Sequence, residues 1–143
     1  MSDILANLLA TRVTTTFGDF YVGTSGADSL TMDATVVGLG GQAGDDTLIG
    51  GSGNDFLIGD FFSAGLFDGS ASFDFTVTGD DKLYGGSGSD ILLGGPGNDS
   101  LFGGAGNDLY ALQGGGVDHL VELAGGGIDT ISTSLVSNIK CNV

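Results

Sequence analysis

Apolar residues recur along this chain at a beat that fits neither a helix nor a lone strand. Leu30, Leu48, Leu57, Leu83, Leu92, Leu101, Tyr110, Leu120 and Ile131 each stand two positions after an aspartate. Those aspartates are Asp28, Asp46, Asp55, Asp81, Asp90, Asp99, Asp108, Asp118 and Asp129, spaced by 18, 9, 26, 9, 9, 9, 10 and 11 residues. The first gap is two periods, and its missing copy falls at 32–40, where Val37 holds the aspartate slot and Leu39 keeps the apolar one. Each nine-residue unit reads as a six-residue glycine-rich turn followed by a three-residue strand with its middle residue inward. One unit cannot bury that residue alone. Strands stacked about 4.8 Å apart turn the inward residues into a ladder, which is the core of a solenoid.

Written out, the units are GTSGADSLT from Gly23, GQAGDDTLI from Gly41, GGSGNDFLI from Gly50, GDDKLY from Gly79, GGSGSDILL from Gly85, GGPGNDSLF from Gly94 and GGAGNDLYA from Gly103. Two looser copies follow, GGVDHLV from Gly115 and GGIDTIS from Gly126. This pattern resembles the G-G-x-G-x-D-x-U-x nonapeptide of the RTX, or haemolysin-type, calcium-binding repeat family. The resemblance covers roughly residues 23–134, and the copies at Gly50, Gly85, Gly94 and Gly103 are near-complete. It implies an all-β fold, a calcium-stacked parallel β-roll (a right-handed β-solenoid) with two nonapeptides per coil.

Composition supports a role for the aspartates beyond solubility. Seventeen Asp stand against one Glu, and three basic residues leave a net charge of −15. That ratio singles out the short carboxylate, which suits turns or a hard cation. In a two-unit coil, aspartates 18 apart share an edge: Asp28 with Asp46, Asp81 with Asp99, and Asp90 with Asp108. Stacked carboxylates repel unless a cation lies between them. Ca²⁺ takes six to eight oxygens at about 2.3–2.6 Å and tolerates irregular geometry, whereas Mg²⁺ demands a tighter octahedron. One His and one Cys leave little for a transition metal. The resemblance implies several Ca²⁺ ions, each held by one aspartate from each of two adjacent turns and by turn carbonyls. Residue by residue it points to the nine aspartates above and to carbonyls around Gly51, Gly53, Gly86, Gly88, Gly95, Gly97, Gly104 and Gly106. The competing reading of the aspartates is a set of local Asx-turns.

Outside the repeats, residues 1–22 read as an N-terminal cap and lead-in strand. Ile4, Leu5, Leu8 and Leu9 lie on one face of a short helix over 2–10, and the Thr-rich stretch 11–22 alternates as a strand. Residues 59–78 interrupt the roll, carry five of the nine Phe, and read as a looped-out excursion that folds back on one face. Asp60, Asp68 and Asp74 within it are candidates for a further cation site. The repeats relax over 112–134, and 135–143 reads as a tail, with a truncated or divergent end. His119 reads as a solvated strand residue beside the inward Leu120.

Several functions are disfavoured. So few basic residues make no phosphate-binding patch, so nucleic acid is a poor partner. No apolar run approaches the length of a membrane helix. The first residues lack the basic start of a Sec signal, and one cysteine permits no internal disulfide. With no H-E-x-x-H and no G-x-S-x-G, the chain reads as no enzyme. Two readings stand. One is a secreted calcium-binding module, a structural or accessory part of a haemolysin-, protease- or adhesin-type protein, exported unfolded by bacterial type I secretion. The other is a stand-alone extracellular surface protein of adhesion or ice-binding type that uses the flat face of the roll, although Ser52, Ser87, Pro96 and Ala105 form no regular rank of Thr. A monomer is expected in either case, with a larger parent protein or an extracellular surface ligand as partner.

Overall fold

The computed structural model describes residues 11–15, 18–33, 36–60, 77–123, 126–133 and 139–142. Thirteen strands run through them: β1 (Thr11–Thr15), β2 (Gly18–Val22), β3 (Ser29–Thr31), β4 (Gly38–Gln42), β5 (Thr47–Ser52), β6 (Phe56–Asp60), β7 (Lys82–Ser87), β8 (Ile91–Leu93), β9 (Ser100–Ala105), β10 (Leu109–Leu112), β11 (Asp118–Val121), β12 (Thr130–Thr133) and β13 (Ile139–Asn142). The even strands pair in the order β2-β4-β6-β8-β10-β12, with β1 added at the β2 edge, and the odd ones in the order β13-β11-β9-β7-β5-β3. Every pairing is parallel except the β1–β2 hairpin. Alternation of successive strands between two parallel sheets is a flattened solenoid, here of about five coils.

The core is the expected ladder. Leu30, Leu48, Leu83, Leu101 and Leu120 line one sheet, and Leu39, Leu57, Leu92 and Tyr110 the other, all buried in one cluster. Each such side chain contributes roughly 1.5–3 kcal/mol by burial. Glycine-rich turns bring little else to the interior, so this single-file ladder carries most of the apolar stabilisation. A second apolar cluster of Val22, Ile58 and Leu93 lies outside the ladder. These residues pair across β2, β4, β6 and β8 one position after the inward residue, which places them on the outer face of that sheet.

The structure departs from expectation in four places. Ile131 is 43% exposed rather than inward-buried, because β12 is the edge strand of its sheet and no further strand among the described residues covers it. The lead-in is a hairpin, and its second strand, β2, is already part of the roll through its parallel pairing with β4. The tail supplies β13, which extends the other sheet beside β11. The excursion enters within a turn: residue 47 pairs with 82 and residue 56 with 91, a step of 35 in place of 18, so both sheets continue across it in register. The helix expected over 2–10 lies outside the described residues, as do the phenylalanines of the excursion and Asp68 and Asp74.

Candidate metal centre

Stacking the coils converts the repeated aspartates into two columns. On one edge the backbone N–H of Asp28 donates to Asp46 Oδ1 (2.7 Å), that of Asp46 to Asp81 (2.8 Å), that of Asp81 to Asp99 (3.0 Å) and that of Asp99 to Asp118 (3.2 Å). On the other edge Asp55 donates to Asp90 (2.9 Å), Asp90 to Asp108 (2.9 Å) and Asp108 to Asp129 (3.0 Å). All nine candidate aspartates therefore fall into these columns. The 18-residue partners meet as expected, and the 35-residue pairs Asp46–Asp81 and Asp55–Asp90 join them across the excursion. The bonds run between coils, which is not the local Asx-turn pattern.

Oδ1 of seven of these aspartates, Asp46, Asp81, Asp90, Asp99, Asp108, Asp118 and Asp129, is thus satisfied. Oδ2 of Asp46, Asp55, Asp81, Asp90, Asp99 and Asp108 is not: it is buried without a hydrogen-bond partner. A buried, unpaired carboxylate oxygen is costly, and six in register call for a common ligand. Asp28 differs. Its Oδ2 accepts from the Thr24 amide at 2.6 Å and the Thr24 hydroxyl at 2.9 Å, so the first aspartate of the column is already satisfied.

The turn glycines explain how the oxygens are housed. A Cβ on Gly41 would lie 1.9 Å from Asp46 Oδ2, and one on Gly59, Gly94 or Gly103 would come within 2.1–2.3 Å of its aspartate's Oδ2. The first glycine of each unit is the space into which its own aspartate folds back. The carbonyls expected as ligands belong to the glycines at the second and fourth positions. Those eight glycines, from Gly51 to Gly106, all have φ in the left-handed region. The carbonyls of Gly53, Gly88, Gly97 and Gly106 accept none of the backbone hydrogen bonds between turns among the described residues. The residue before each aspartate supplies a separate ladder: the Asp80 amide donates to Asp45 Oδ1, Asn98 to Asp80, Ser89 to Asn54 and Val117 to Asn98.

Burial acts on the titration of these groups. Desolvation, with neighbouring aspartates adding to it, pushes Asp81 up to about 8, Asp46 and Asp99 to about 7, and Asp90 to about 6. Asp55, Asp108 and Asp118 move in the same direction, desolvation leading. Two further carboxylates had no place in the motif. Asp60 stands in the second position of the turn that holds the excursion and is fully buried. It accepts from the Gly79 amide at 2.6 Å, its Oδ1 is unpartnered, and desolvation raises it to about 6. Glu122 is pushed up to about 7, first by desolvation and then by Asp129 and Asp108.

The family model for the RTX calcium-binding nonapeptide repeat matches residues 40–63 and 75–110, in four copies. These are RTX calcium-binding nonapeptide repeats. No curated protein and no solved structure matches the chain. The matched RTX units hold six of the nine columnar aspartates, Asp46 to Asp108, and all of their unpartnered Oδ2 atoms. The unpaired oxygens, the room left by the first glycine and the free fourth-position carbonyls form an all-oxygen, anionic donor set that fits Ca²⁺.

The start of a column and its interior are therefore unequal. Asp99→Ala removes an unpartnered oxygen and strands the Asp81 amide, whereas Asp28→Ala removes a carboxylate that Thr24 already satisfies. Asp99→Ala is expected to raise the calcium concentration at the folding midpoint at least about tenfold, or roughly 1.4 kcal/mol, with Asp28→Ala changing it far less. Equal shifts in calcium titrations of the two variants would show the columns to be wrongly drawn.

Proposed function

We propose that this chain is a secreted calcium-binding RTX module without intrinsic catalysis, which folds on binding several Ca²⁺ ions between its stacked turns. The observation that carries the reading is the row of buried aspartate oxygens without partners. In this reading Asp46, Asp81, Asp99 and Asp118 hold ions on one edge and Asp55, Asp90, Asp108 and Asp129 on the other. Carbonyls of the second- and fourth-position glycines Gly51, Gly53, Gly86, Gly88, Gly95, Gly97, Gly104 and Gly106 complete the shells. Asp28 acts as a turn residue at the column's start. The bound cation supplies charge neutralisation in a desolvated site. The protein's own contribution is to line the oxygens up, through the Asp-to-amide bonds and the glycine cradle.

Place follows from affinity. Oxygen cages at the weaker, extracellular end of the range bind at about 10⁻⁵–10⁻³ M, and a chain whose fold depends on several such ions stays unfolded where calcium is scarce. Type I export of an unfolded acidic chain, with calcium outside trapping the fold, is consistent with this. Among the described residues no helix is long and apolar enough to cross a membrane. The module serves as a structural or accessory part of a larger extracellular protein. The reading as a stand-alone surface protein draws on one observation, the stacked Tyr84–Phe102 pair (centroids 4.5 Å apart) on the strands opposite the buried outer cluster. A calcium titration of the purified chain tests location: a cooperative folding midpoint at about 10⁻⁵–10⁻³ M is expected. A midpoint well below micromolar permits folding in the cytosol and removes the argument for secretion.

A further inference from the structure

Two departures from the repeat meet at the end of the second column. On that edge the first turn position is glycine in three successive coils, Gly50, Gly85 and Gly103, and each makes room for an aspartate. The β9–β11 register runs Phe102 against Val121, so the next residue, opposite Gly103, is Glu122. It is the chain's single glutamate, and it occupies the glycine position. The second departure is Tyr110, which follows Leu57 and Leu92 in the inward ladder. Its ring fills the core as a leucine would, and its hydroxyl reaches the turn. There it accepts from the Gly103 amide at 2.7 Å and donates to Glu122 Oε1.

The remaining oxygens converge. Glu122 Oε2 is buried without a partner, and so is Oδ2 of Asp108, whose residue is 2% exposed. Asp129 completes the group, accepting the Asp108 amide through Oδ1. Asp108, Glu122 and Asp129 each bring one carboxylate oxygen within 4.8 Å of the others. Three carboxylates at that separation repel strongly in a desolvated site unless a cation joins them.

We propose that Asp108, Glu122 and Asp129 form a three-carboxylate Ca²⁺ site that closes the second column with a ligand the nonapeptide does not contain. Tyr110 is its positioning residue, holding Glu122 Oε1 so that Oε2 faces the ion. The inference rests on the calcium reading of the RTX turns. A third anionic ligand strengthens a calcium site, so this site fills first as calcium rises. The long 11-residue spacing between Asp118 and Asp129 then accommodates a glutamate and is not decay of the repeat.

The full chain, titrated with calcium under native mass spectrometry and calorimetry, tests this with Glu122→Gln and Glu122→Gly. The second variant restores the residue of the other turns and keeps the test open should the first fail to fold. Both are expected to lose the tightest ion or to weaken that step by about tenfold or more. Terbium supplies a local readout, since the chain has three Tyr and no Trp and Tyr110 bonds a ligand directly. Tyr110→Phe should keep the ion count, weaken the first step and remove most of the tyrosine-sensitised terbium emission. Unchanged ion number and affinity in both Glu122 variants overturns the site while leaving the RTX reading intact. A parent chain that binds no calcium overturns both.

Discussion

Stripped of divalent cations at neutral pH, the chain should give the far-UV circular dichroism of a coil, and acidifying that same sample to about pH 4 should restore β signal without any metal. The buried columns drive both outcomes. Folded values of about 8 for Asp81, about 7 for Asp46 and Asp99, and about 6 for Asp60 and Asp90 all lie above the ordinary carboxylate value near 3.9. A raised folded value means that the fold binds protons more tightly than the coil does. Its stabilising contribution is complete below about pH 4 and is lost as pH rises through about 6–8. Asp81 alone represents on the order of 5 kcal/mol at the alkaline end of that window, against a typical domain stability of about 5–15 kcal/mol. A net charge of −15 adds self-repulsion. Roughly four to seven Ca²⁺ ions would nearly cancel that charge and do at pH 7 what protons do at pH 4. Equal β signal with and without chelator at neutral pH contradicts this account.

A single methyl group at Gly88 is expected to have a very large effect. Its φ is +137°, and an added Cβ would lie 1.6 Å from the carbonyl oxygen of Gly53 in the preceding coil. That neighbour is backbone and cannot swing aside, so alanine forces adjacent coils apart at the spacing the ions need. Gly51 is the control. Its φ is +125°, equally unfavourable for alanine, but nothing lies within 4 Å of the Cβ position. Gly51→Ala should cost only the left-handed penalty, about 1–2 kcal/mol, and lower the melting temperature of the calcium-loaded chain by several degrees. Gly88→Ala should exceed about 4–5 kcal/mol and abolish calcium-induced folding. Similar losses in the two variants would mean that stacked turns do not set the coil spacing.

What was legible in the sequence is what a single repeat encodes. The inward leucines follow from two-residue alternation inside a three-residue strand, and all from Leu30 to Leu120 are buried. The glycines of left-handed φ were also readable, since only a turn explains them. Relations between coils were harder to read. Asp46 and Asp81 are stacked neighbours, but the excursion separates them by 35 residues, and local phase cannot show that it begins and ends inside one turn. The first glycine looked like a third turn residue, and its use as space for the carboxylate five residues later appears only once both are placed. β13 carries no glycine–aspartate signal and is a strand because β11 offers a parallel edge. Tyr110 reads in the sequence as one more inward apolar residue and Glu122 as part of the relaxed stretch 112–134, and their shared hydrogen bond links the two only once both are placed.

The central claim is that the buried aspartate oxygens are calcium ligands, and a crystal structure grown in calcium with anomalous differences recorded tests it most directly. The account predicts anomalous peaks beside Oδ2 of Asp46, Asp81 and Asp99 on one edge and of Asp90 and Asp108 on the other, each within about 2.3–2.6 Å of the carboxylate. A folded roll in saturating calcium with no such peaks, its carboxyls protonated or bonded to water, would contradict it.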